Sequence, residues 1–133
     1  HLTEEDVASA RELNAAMACT ADHAEWLQLN SRFHRTLYEP SGCQVTMELL
    51  DQLRARAERY VRLWSGGAGV HRHAETHAEH EEIIGLVAAG DAAGARAAVE
   101  RHVLNTRDSV IAHRRAAEAE AQASADSEPE RAA

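Results

Sequence analysis

Residues 79–103 read EHEEIIGLVAAGDAAGARAAVERHV, and this stretch decides the fold. Ile83, Ile84 and Val87 recur at helical spacing before Gly90, and Ala95, Val99 and Val103 recur in the same way after it. Glycine closes a helix in the left-handed conformation at little steric cost, and an aspartate directly behind it is a natural N-cap. The stretch therefore predicts helix, tight turn, helix. Each arm carries a histidine: His80 lies ten residues before Gly90 and His102 twelve after it. In an antiparallel hairpin the two come level, about 15 Å from the turn at a rise of 1.5 Å per residue.

Working outward, the pattern stays helical. Thr3 caps a first helix whose opening turn holds Glu4, Glu5 and Asp6, with Val7, Leu13 and Met17 as a weak apolar stripe. A second helix starts near Asp22, carries Trp26, Leu29, Phe33 and Leu37, and stops at Pro40, Ser41 and Gly42. The third spans 44–64, with Leu49, Leu50, Leu53, Ala57, Tyr60, Val61 and Trp64 on one side. Gly66, Gly67 and Gly69 predict a loop before a fourth helix at 71–89. The fifth is expected to reach about Ala119. Residues 122–133 are small, polar and proline-containing, which predicts a frayed tail after a bundle at 1–121. No strand-like alternation occurs, so the expected fold is all-α, an antiparallel bundle of about five helices.

Composition narrows the function. The net charge of -8, with arginines interleaved among glutamates, argues against a polyanion-binding surface on this chain. Two cysteines make no disulfide framework and fit a reducing, cytoplasmic setting. No apolar run is long enough for a bilayer, and no signal peptide opens the chain. The first residue is histidine rather than methionine, so a native start further upstream is expected.

Nine histidines are the most informative feature. His34 follows Phe33 on the second helix, with Asn30 one turn earlier on the same face. His80 shares a stripe with Ile84 and Val87, and His102 adjoins Val103 and Val99. Three part-buried imidazoles on three helices need partners. A divalent metal would supply one, and hydrogen-bonded core histidines are the plainer alternative. His73, His77 and His80 form a second series on one helix face, in which His77 is expected to border a pocket. His1, His23, His71 and His113 are read as surface residues or singly satisfied core residues.

The stretch from Trp26 to Glu39 followed by Ser41-Gly42 resembles the N-x-x-F-H-x-x-L-Y-x-x-S-G core of the FadR-type C-terminal domain of GntR-family transcription regulators. Leu49, Leu53, Arg56 and Arg59 extend the resemblance, and so do Glu79-His80-Glu81-Glu82-Ile83, Gly90-Asp91, Ala95 and Arg101-His102. It covers roughly residues 3 to 112. It implies a bacterial ligand-sensing bundle lacking its first helix and its winged-helix DNA-binding domain, so that DNA is reached only through that domain. It also implies a homodimer and a small carboxylate effector bound beside a divalent metal, zinc or nickel. The implied metal ligands fall on Asn30, His34, His80 and His102, and the implied effector contacts on Arg56, Arg59 and His77. Asn30 departs from the family's aspartate and brings no charge to a cation.

Arg54, Arg56 and Arg59 cannot all face inward from one helix, so at least one is expected to be a solvated surface residue. Two other function classes compete. A metal-dependent hydrolase needs a base, and the nearest acid, Glu79, is expected to point away from the His80 face. A purely structural dimerisation bundle needs only satisfied core histidines.

Overall fold

A computed structural model describes residues 2–64 and 73–126, the side chains of 58–64 and 126 excepted. It comprises α1 (Glu4–Cys19), α2 (His23–Tyr38), a 3₁₀ turn at Glu39–Ser41, α3 (Gln44–Trp64), α4 (His73–Ala88) and α5 (Ala92–Asp126). The all-α expectation holds. The expected loop at Gly66, Gly67 and Gly69 lies outside the described residues, as do His1 and His71. Helix α5 continues through Asp126, past the boundary expected at residue 122. Its last turns are rich in Ala, Glu and Gln, which are good helix formers.

Each helix begins or ends for a local reason. Thr3 and Asp6 form a reciprocal capping box on α1: the Asp6 amide donates to the Thr3 hydroxyl at 3.2 Å, and the Thr3 amide donates to the Asp6 carboxylate at 2.8 Å. These bonds hold the Asp6 carboxyl below its ordinary range. Replacing Thr3 by alanine is expected to cost about 1 kcal/mol in urea unfolding, with an unchanged m-value. Asp22 caps α2 through bonds from the Ala24 and Glu25 amides. Gly90, at φ +71°, closes α4, where its amide bonds the Val87 carbonyl and the Asp91 amide bonds the Leu86 carbonyl. Asp91 then caps α5 by accepting the Gly94 amide at 2.9 Å. A Cβ on Gly94 would meet the Asp91 carboxylate and the Leu86 side chain, which would have to shift.

The core joins Ala10, Leu13 and Met17 of α1 to Phe33 and Leu37 of α2, Ile83 and Ile84 of α4, and Ala98 of α5. Helix α1 packs on α2 and α4, and α4 packs on α5. Helix α3 leans only lightly on α2 and α5. The apolar side of α3 is therefore left largely uncovered over its described residues. Leu49 and Leu53 are 54% and 61% exposed and Ala57 is exposed, while Leu50 is half-buried. The side chains of Tyr60, Val61 and Trp64 lie outside the described residues. On α5 the buried positions are Ala98 and His102, and Val103 is exposed. Among the described residues no helix is long and apolar enough to cross a membrane, and both cysteines are free and exposed.

Candidate metal and effector site

The core packing of α2, α4 and α5 brings His34, His80 and His102 together. One ring nitrogen from each lies within 4.8 Å of the others, and all three residues are buried. Ring centroids are 5.2 Å apart for His34–His80, 5.2 Å for His34–His102 and 4.8 Å for His80–His102. The hairpin thus sets His80 and His102 level, as the spacing from Gly90 predicts. Phe33 floors the cluster, stacked on the His80 ring at 4.0 Å.

Burial acts on His34 and His80 in one direction. Desolvation, reinforced by the Arg54 guanidinium and the neighbouring imidazoles, holds His34 well below the ordinary histidine value. Desolvation also lowers His80 to about 3, helped by His102, His77 and Arg54. Both rings are neutral at pH 7 and keep a lone pair free for a Lewis acid. His80 Nε2 is buried with no hydrogen-bond partner, although such groups are almost always satisfied. Asn30 Oδ1, one turn before His34, is buried and unpartnered in the same way. Two orphaned acceptors, on two of the three helices that form the cluster, fit a cation. The chemistry of the donor set, imidazole nitrogen with one amide oxygen, suits zinc or nickel.

Two rings of the cluster, His80 and His102, are tied down from outside. The Asn14 side chain of α1 donates to the His77 carbonyl at 3.2 Å and to Glu81 Oε1 at 2.7 Å, and its Oδ1 meets His80 Nδ1 at 3.2 Å. Glu79 Oε2 lies 2.7 Å from His102 Nδ1, and Glu79 Oε1 accepts from Asn105 at 2.8 Å. Glu79, expected to point away from the His80 face, reaches across to α5 and meets His102, a ring of the cluster.

The expected effector residues fare differently. Arg56 is exposed on α3, and the Arg59 side chain lies outside the described residues. Between the two whose side chains are described, Arg54 is the one turned toward the site: it is half-buried and donates to the Asn30 carbonyl at 3.3 Å. His77 stays half-buried beside His80, with Nδ1 buried and unpartnered. His23, read as a surface or singly bonded residue, is half-buried, and neither of its ring nitrogens has a hydrogen-bond partner. Its ring is parallel to those of Trp26 and His73, and the last two stack at 4.6 Å. The periodicity missed this because the contact joins α2 to α4. Asn14 and Glu79 were also missed. A signal existed for Asn14, a polar residue set between Leu13 and Met17 on an apolar stripe.

No curated protein and no solved structure gives a match to the chain. The family model described as the FCD domain matches residues 1–105, which takes in Asn30 and all three clustered histidines. With that match over most of its length, the chain belongs to the FCD domain family, the effector-binding regulatory domains of GntR-type regulators.

Proposed function

We propose that this domain senses a small carboxylic acid beside a divalent ion and passes the signal to a DNA-binding domain on the same regulator. The observation that carries the reading is the convergence of three buried imidazoles, of which His80 has its Nε2 unpartnered, together with the unpartnered Asn30 Oδ1 one turn before His34. His34, His80 and His102 would hold the ion through nitrogen, and Asn30 would add a neutral oxygen. A bound ion supplies an attachment point for a carboxylate. Arg54 supplies a second, charge-assisted one from α3, a helix held only lightly by the rest of the bundle. A ligand that favours one position of α3 over another would shift the population of regulator states by its difference in affinity. His77 borders the same space, and Arg56 and Arg59 stay on α3 as further cationic candidates.

The homodimer belongs to the same reading. Its support is the apolar row Val45, Leu49 and Leu53 left exposed on α3, and sedimentation of the purified domain tests it. The hydrolase reading is weaker, because both Glu79 oxygens are already engaged, by His102 and Asn105.

Calorimetric titration of metal-free protein with zinc or nickel tests the proposal, followed by thermal melts with a panel of short mono- and dicarboxylic acids. Binding of one ion per chain, and acids that raise the melting temperature only when metal is present, support it. No metal uptake sinks it. Asn30→Asp restores a charged oxygen donor, so its metal affinity is expected to rise by about tenfold or more, equivalent to ~1.4 kcal/mol. Equal affinities would remove Asn30 from the ligand set.

A further inference from the structure

The outer partners of the histidines carry an inference of their own. The Asn14 amide has an orientation fixed by chemistry. Its two donor contacts, the His77 carbonyl and Glu81 Oε1, are acceptors only, so the nitrogen must sit there and the oxygen must face His80. An amide oxygen only accepts. His80 Nδ1 therefore carries the proton and donates it, and Nε2 is left bare. The same logic holds on the other arm of the hairpin. Glu79 accepts from Asn105 at one oxygen and faces His102 Nδ1 at the other, so that ring also donates from Nδ1. Asn14 is fully buried, and the His102 and Glu79 side chains are 7% and 15% exposed, so water competes poorly for either bond.

We infer that Asn14 and Glu79 are positioning residues that lock His80 and His102 as Nδ1–H tautomers. We further infer that the Glu79 carboxylate supplies, through the His102 ring, the negative charge that Asn30 does not bring. The second statement rests on the metal reading above, and the first does not. A carboxylate bonded to the far nitrogen of a ligating imidazole raises the basicity of that imidazole and orients the ring. The ligand set is then electrically closer to one containing an acid. The charge stands one ring further from the ion, where it leaves an inner position open for an effector oxygen. The two shells differ in kind: a neutral amide behind His80 and an anion behind His102.

The tautomers are read first, on metal-free wild-type protein, from long-range proton–nitrogen correlations of ¹⁵N-labelled histidine. Protonated Nδ1 and bare Nε2 at both His80 and His102 are expected. An Nε2–H tautomer at either residue overturns the locking role of its partner. Cobalt(II) affinity is then compared between wild type, Glu79→Gln and Asn105→Ala at one pH, with helicity checked by circular dichroism. Glu79→Gln is expected to bind cobalt about 10–100-fold more weakly. Asn105→Ala, which leaves the carboxylate on His102, is expected to stay near the wild-type value. Equal affinity in Glu79→Gln, or an equal loss in both variants, overturns the charge role. Failure of the wild type to take up cobalt removes the metal reading and the charge role with it, while the tautomer spectrum still decides the first statement.

Discussion

Acidifying the metal-free domain from pH 7 to pH 5 is expected to remove several kcal/mol of stability, well before its carboxylates titrate in bulk. The cause is the buried pair His34 and His80. Above pH 6.5 both rings are neutral whether the chain is folded or not, so they add no pH dependence. Below that value the unfolded chain takes up protons that the folded site refuses, because folded His80 titrates only near pH 3. The unfolded state binds more protons throughout this window, so stability falls as pH falls, by up to ~1.4 kcal/mol per pH unit for each group. His80 alone accounts for about 2 kcal/mol by pH 5, and His34, lowered by the same burial, adds to the loss. Against a total of about 5–15 kcal/mol for a domain, that is a large fraction. Urea unfolding at a series of pH values measures it. His80→Leu should flatten the profile by about one proton, and a profile that is already flat between pH 7 and 5 in the wild type would refute the account.

Saturating metal is expected to act in the opposite sense and as strongly. An ion bound only by the folded state stabilises it by about 4 kcal/mol at a free concentration a thousand times its dissociation constant. In a domain of this size that corresponds to a rise in Tm of roughly ten degrees or more, and excess chelator should reverse it. Because folded His80 carries no proton at pH 5, binding there displaces none from that ring. Identical melting with zinc and with chelator would show that the three rings are a core cluster and nothing more.

The helices were legible because their signals are local. Thr3, Asp22 and Gly90-Asp91 mark ends through bonds spanning a few residues, and α3 falls at 44–64 as its apolar pattern predicts. The histidine triad was legible for a related reason: the turn at Gly90 converts sequence distance into height along a hairpin. The partners of those histidines were not legible. Asn14 meets His80 across 66 positions and Glu79 meets His102 across 23, and neither pairing leaves a periodic trace. That Arg54 rather than Arg56 turns inward was equally hidden, because it depends on how α3 is rotated against α2. Leu49 and Leu53 make the complementary point. Periodicity shows that a helix has an apolar face, but not which surface covers it.

The Gly90 turn also restricts how this chain can change length. Each helical residue advances the side chains by about 100°, since 3.6 residues complete a turn. A one-residue insertion or deletion between His80 and Gly90, or between Asp91 and His102, would put one imidazole out of phase with the other. It would also shift that ring along the axis by ~1.5 Å. Neither error can be absorbed by a cap as tight as the one joining α4 to α5. The two arms therefore behave as a vernier whose zero is Gly90. Within them the count of residues is itself part of the chemistry.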